Sequence, residues 1–145
     1  MLGHDDIAAL IPHRDTMCLL DRVLEWDAQH AVLTARSHRF PDNPLRAGGR
    51  LRALHLCEYG AQAMAVHGEL AARACGSRAE PGLLVSLREV MLHRQYLDDL
   101  PGELTIEARR LWAGAGAWQY TFRAIHGGEL IGEGRAAIIA GAART

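Results

Sequence analysis

The chain has 145 residues, 49% hydrophobic and 23% charged, with a net charge of −1 when its histidines are neutral. That length accommodates one core and little else, so a single domain over residues 1–145 is expected. The sixteen basic residues are scattered rather than striped, which argues against a nucleic-acid partner. No stretch reaches the roughly 18 uninterrupted apolar residues that span a bilayer, and no basic-then-apolar leader is present, so a cytoplasmic protein is the expectation. The three cysteines (Cys18, Cys57, Cys75) form no CxxC pair, and an odd number disfavours a disulfide framework.

Asp5 and Asp6 precede an apolar run, Ile7–Ile11, and Pro12 follows, the pattern of a short helix. Met17–Trp26 and Ala31–Ser37 read as strands joined through the turn-like Asp27–His30. From His38 to Gly49 the prolines, glycines and Asp42-Asn43 mark a loop of about a dozen residues, a length that is often functional in a small domain. Leu51–Ala74 is proline-free, dense in Ala and Leu, and apolar on most sides; such a helix is buried. Strands follow at Leu83–His93, Gly102–Trp112, Ala117–His126 and Glu129–Ala140, with Gly114-Ala115-Gly116 and Gly127-Gly128 at hairpin spacing. Trp112 and Trp118 bracket the first of these turns and suggest cross-strand packing. A helix apolar on most sides, beside one antiparallel sheet, has to be wrapped by that sheet. This predicts an α+β hotdog fold, with sheet edges covered by dimerisation.

Glu58 is the residue that most needs explaining. An ionised carboxylate in the middle of such a helix is costly unless paired, and a group in that setting is a plausible proton donor or acceptor near neutrality. Gln62, four residues on, lies on the same face and can orient it. The alternative is a carboxylate turned into a subunit interface or a buried polar cluster. His38, at a strand-to-loop junction, is placed to act as a base while reaching solvent, although a loop histidine is more often simply exposed. His55 competes, three residues before Glu58, and His13 suits a turn. Gly48 and Gly49, directly before the expected helix, either offer backbone N–H groups to a thioester carbonyl or merely permit the chain to turn. No GxGxxG, Walker-type or GxSxG motif is present.

Three segments together resemble a known family. Ile11-Pro12-His13-Arg14 followed by Cys18–Val23 is similar to the N-terminal motif of bacterial 3-hydroxyacyl-acyl carrier protein dehydratases. Phe40-Pro41-Asp42-Asn43-Pro44 resembles their Phe-Pro-x-x-Pro loop, and Glu58-Tyr59-Gly60-Ala61-Gln62 their helical Glu-x-x-Ala-Gln. The motifs occur in the family's order over essentially the whole chain, and Gly49-Arg50-Leu51 with Met64–Gly68 looks like the branch associated with aryl polyene pigment clusters. The resemblance implies dehydration of a 3-hydroxyacyl thioester to the trans-2-enoyl product, without metal or organic cofactor. It also implies a loop histidine as base and a helical acid contributed across a dimer. Two positions depart from the pattern. Arg39 stands where the family's histidine directly precedes Phe-Pro, so His38 is displaced by one residue. In addition, Arg46-Ala47-Gly48-Gly49-Arg50 replaces the family's Met-Pro-Gly helix entry.

The resulting expectation is a dehydratase with Glu58 and His38 catalytic and Gln62, Gly49 and Arg50 binding substrate, the thioester being carried by acyl carrier protein or coenzyme A. Arg46, Arg50 and Arg52 would meet the acidic carrier or its phosphate. The assembly would be a homodimer or a heterodimer with another hotdog subunit. Two further readings stay open: a catalytically silent hotdog partner within a dehydratase heteromer, and an acyl thioesterase.

Overall fold

Local sequence starts the first helix as expected. The Asp6 carboxylate accepts the Gly3 N–H at 3.0 Å at the head of α1 (His4–Leu10), whose Ile7 is buried in the core. The computed structural model describes residues 2–11, 17–79 and 82–141, so the expected helix stop at Pro12 and the turn role of His13 lie outside the described residues.

The first strand is shorter than its sequence suggests. β1 (Arg22–Trp26) begins five residues after Met17, because the backbone before it is bound by side chains rather than by a strand. Gln62 holds the Leu19 N–H and the Met17 carbonyl, Ser37 holds the Leu19 carbonyl, and His4 holds the Cys18 carbonyl. Asp27 then closes the turn into β2 (His30–Ala35), its Oδ1 accepting the Gln29 and His30 N–H groups at 2.8 and 2.9 Å.

The long helix α2 spans Leu56–Ala74, preceded by one 3-10 turn, Ala53–His55. The expected start at Leu51 is corrected by hydrogen bonding far along the chain. The Ala53 N–H donates to the Gln95 carbonyl and the Leu97 N–H to the Leu51 carbonyl, at 2.9 and 2.8 Å, which keeps Leu51 and Arg52 out of the helix up to the 3-10 turn. Leu56, Tyr59, Ala63, Met64, Val66 and Leu70 are buried, so the helix is packed around most of its circumference.

Four more strands complete the sheet: β3 (Gly82–Leu92), β4 (Leu104–Gly114), β5 (Ala117–His126) and β6 (Glu129–Ala140). All six pair antiparallel in the order β1-β2-β4-β5-β6-β3, wrapped around α2: this is the α+β hotdog arrangement. The two hairpin turns expected from glycine spacing are present. Ala115-Gly116 and Gly127-Gly128 all have positive φ, as two-residue turns matched to strand twist require. The tryptophans are not paired across the first hairpin. A register shift between Arg110 and Trp112 sets Trp112 opposite Gln119 and Trp118 opposite Ala113.

The helix lies tightly on the sheet at Gly60, where a Cβ would lie 2.5 Å from Phe122 Cγ. At the far edge, β3 pairs only with β6, and Leu83, Val85 and Met91 are each more than half exposed along it. An unpaired apolar edge of this kind is an adhesive surface unless another chain covers it.

Candidate active site

With α2 starting at Leu56, Glu58 lies in its first turn and not in mid-helix. A carboxylate there faces the positive end of the helix dipole. Glu58 is half-buried, and it shares with Ala61 and Ala65 the side of α2 that the sheet leaves more open. The helix also buries Tyr59, His67 and Glu69.

Gln62 is the fixed element of the site. Its Oε1 accepts the Leu19 N–H at 2.9 Å, which requires the amide Nε2 to point the other way. Nε2 donates to the Met17 carbonyl at 2.7 Å and to Glu58 Oε2 at 3.4 Å. The expected i, i+4 pairing is therefore present. The amide is held by two backbone groups, so it restrains the carboxylate rather than following it.

A second polar chain lies beside the first. Ser37 Oγ donates to the Leu19 carbonyl at 2.7 Å, so the Tyr59 hydroxyl, 2.8 Å away, donates to Ser37. Asn43 Nδ2 in turn donates to the Tyr59 oxygen at 3.2 Å and to the Ser37 carbonyl at 2.9 Å. Burial pushes the Tyr59 phenol above its ordinary value, which keeps it a neutral donor. Sequence reasoning did not single out Tyr59, Ser37 or Asn43 for this role. Tyr59 beside Glu58, and Asn43 inside the Phe-Pro-x-x-Pro-like loop, were the available signals. Ser37 and Asn43 of this network line one wall of a cleft of about 310 Å³, with Cys18, Leu19 and Leu20 on its apolar side and Arg36 and Phe40 also lining it. Burial raises the Cys18 thiol, so it enters this wall as an uncharged group.

His38 does not occupy the position expected of it. It sits in a 3-10 turn, Ser37–Arg39, fully buried, so the expectation that it reaches solvent is corrected. Its Nε2–H donates to the Leu100 carbonyl at 3.0 Å, and its own carbonyl accepts Arg46 Nη2 at 3.1 Å. Burial drives its pKa down to about 4, opposed in part by the Leu100 bond and reinforced by the charges of Arg39, His126 and Arg46. The ring is therefore neutral at pH 7, with its lone pair on Nδ1, which is itself buried and without a partner among the described residues. No hydrogen bond joins His38 to Glu58.

The expected helix-entry site at Gly48 and Gly49 is corrected as well. Ala47 and Arg50 exchange backbone hydrogen bonds at 2.9 and 3.1 Å around Gly48 (φ +60) and Gly49 (φ +76), forming a miniature hairpin. The helix begins only at Leu56, so its dipole does not stand behind Gly49. Arg46 turns inward, spending its Nη groups on the Gly49 and His38 carbonyls, and is not available to a carrier. Arg50 stays exposed, stacked 3.8 Å from the Tyr96 ring centroid and bonded to Asp98 at 2.9 Å, with Arg52 exposed nearby. Among the described residues, no group of three His, Cys, Asp or Glu side chains is arranged to hold a metal ion.

A family model described as ApeP-like, ApeP dehydratase, matches residues 5–143. No curated protein is a significant match. Among solved structures the chain is similar to the dehydratase heterocomplex ApeI:P from Xenorhabdus doucetiae, with TM-score 0.83, 19% identity, and coverage of 98% of this chain and 93% of that one. It is also similar to the zebra fish thioesterase superfamily member 2, at TM-score 0.63 and 16% identity over 97% and 100% of the two chains. A hypothetical thioesterase with coenzyme A from Streptococcus pneumoniae TIGR4 gives 0.61 and 13% over 86% and 88%. At these identities the structural likenesses speak for the hotdog fold alone.

Proposed function

The chain belongs to the ApeP-like dehydratase family, and from that premise we propose that it takes part in dehydrating a 3-hydroxyacyl thioester to the trans-2-enoyl thioester, with Glu58 as the acid. One observation carries the reading: the Glu58 carboxylate lies on the more open side of α2 and is restrained by Gln62, which is itself bonded to the Met17 and Leu19 backbone. In the reaction the C2–H bond breaks toward a base and its electron pair becomes the C2=C3 double bond. The C3–O bond breaks and the oxygen leaves as water, taking the proton of Glu58. Gln62 holds the carboxyl in place during that transfer. Arg50 and Arg52, exposed near the loop, are the groups proposed to meet the phosphate of a phosphopantetheine arm, on a carrier protein or on coenzyme A. Gly49, in its miniature hairpin, would shape the approach of that arm rather than polarise the carbonyl.

The assembly we propose is two hotdog subunits joined along β3. Its unpaired, apolar edge supports this, and a solved structure similar to this chain is described as a heterocomplex. The test uses the assembly that co-purifies with the tagged chain from its own cells. It should convert a 3-hydroxyacyl pantetheine thioester to the enoyl product, read by absorbance, without releasing thiol. Glu58→Gln should slow turnover by about 100-fold or more, the range expected for loss of a general acid. Undiminished turnover by that variant, or thiol released in proportion to substrate consumed, would overturn the proposal; the second result would point to a thioesterase.

A further inference from the structure

We propose that the outer face of the sheet carries an oxyanion site, in which Arg88 and Arg135 hold one phosphate-like group between β3 and β6. The strand register builds it. Arg88 lies directly opposite Arg135, and Ser86 directly opposite Ala137, whose other neighbour, on β5, is Gln119. Residues directly opposite share a face of the sheet, as do residues two apart on one strand, so the five side chains stand together. Gly134 and Ala136, on either side of Arg135, are buried, which sets Arg135 on the face away from α2. Over the small Ala137 lies a depression of about 50 Å³, lined by Ser86, Arg88, Gln119 and Arg135. Pockets for larger ligands begin at about 300 Å³, so this one admits a single small head group and not an acyl chain.

Like charges directly opposite each other on antiparallel strands are destabilising unless something neutralises them. Among the described residues nothing does. Arg22, Arg50, Arg94 and Arg123 have carboxylates at 2.8, 2.9, 3.0 and 3.8 Å, whereas Arg88 and Arg135 make neither an ion pair nor a hydrogen bond. Glu89 and Glu133, the carboxylates nearest to the pair along β3 and β6, do not close on it. The ladder slips by one residue between Arg88 and Met91, and Glu89 stands in that bulge at φ +55, a conformation uncommon outside glycine. Glu133 lies opposite Arg123 on β5. Two guanidinium forks offer paired N–H donors to a tetrahedral oxyanion, with the Ser86 hydroxyl and the Gln119 amide as neutral donors beside them. A doubly charged oxyanion would neutralise both arginines at once. A second subunit joined along the β3 edge would use its backbone groups and leave this face open. The inference is independent of the dehydration reading.

The experiment is a calorimetric titration of inorganic phosphate into the co-purified assembly, against chloride at matched ionic strength, with thermal melts alongside. Phosphate should bind at this site and raise the melting temperature beyond what chloride does. Arg88→Gln and Arg135→Gln should each weaken that binding at least about tenfold, as loss of a charged hydrogen-bond donor implies. In phosphate-free buffer each should also melt higher than the parent, because the repulsion is relieved; an arginine with a merely structural role would give the opposite sign. The double variant Arg50→Gln, Arg52→Gln controls for phosphate held near the loop and should retain the binding. Methyl phosphate separates the sources of the ligand. Binding equal to that of phosphate makes it the head group of a monoester, and binding about tenfold weaker makes it the free ion. No heat beyond that of chloride, binding undiminished in either Arg88→Gln or Arg135→Gln, or binding lost with Arg50 and Arg52 would each overturn the proposal.

Discussion

Replacing Gly60 by alanine probes the contact that sets the distance between helix and sheet. A Cβ at this position would stand 2.5 Å from Phe122 Cγ and 2.8 Å from both Cδ atoms. Carbon atoms settle at about 3.5–4.0 Å, so ring or helix must give by roughly 1 Å. The ring has little room to retreat. Phe122 is 1% exposed, and it lies over Gly134, its direct partner on β6, where a Cβ would already be 2.8 Å from Cε1. Alanine gains about 1 kcal/mol over glycine in a helix interior. Overpacking of a tight core costs about 1–3 kcal/mol, and this contact belongs at the upper end of that range. The expected net effect is a destabilisation of about 1–2 kcal/mol, or a melting temperature lower by about 3–6 °C for a chain of this size. Urea unfolding should show a lower midpoint at unchanged slope. Trimming the ring with Phe122→Leu should be less harmful in the Gly60→Ala background than in the parent, giving a favourable coupling in the double-mutant cycle. If Gly60→Ala is as stable as the parent or more so, helix propensity outweighs packing here, and the close approach does not constrain α2.

Gln62→Leu removes the partner of the Leu19 N–H and the Met17 carbonyl together, and should cost about 3 kcal/mol in urea unfolding, since each buried group left unpaired costs about 1–3 kcal/mol. A loss below about 0.5 kcal/mol would mean that water replaces the amide and that the 17–19 segment is not held by it. The pH dependence of stability should carry the signature of His38. Its folded pKa of about 4 lies below the ordinary 6.5, so the unfolded chain takes up the proton first. The contribution is fully present above pH 6.5 and is lost as pH falls from there toward 4. At 1.36 kcal/mol per pH unit this amounts to at most about 3 kcal/mol. The difference in unfolding free energy between the parent and His38→Asn, measured at pH 7 and pH 4.5, should shrink accordingly. A difference independent of pH would show that the ring is not buried as a neutral group.

What could be read in the sequence was what is decided locally. The two-residue glycine turns dictate their own φ values, and Glu58 and Gln62 meet because a helix brings residues four apart onto one side. The misread segments are those whose partners lie far along the chain. Leu51 and Arg52 continue the composition of the helix backwards, yet the backbone of 95–97 bonds to Leu51 and Ala53 and holds them outside it. Met17–Asp21 reads as the start of a strand, yet Gln62, Ser37 and His4 bind the backbone of Met17–Leu19 in place of a ladder. His38 combines both kinds of error. Its neighbours in sequence mark a strand-to-loop junction, where exposure is the natural inference, and nothing within ten residues reveals that the Leu100 carbonyl will enclose it. A displacement of one residue in a loop motif therefore carries information of a different sort from a match. It leaves the surrounding pattern intact while handing the side chain to the core.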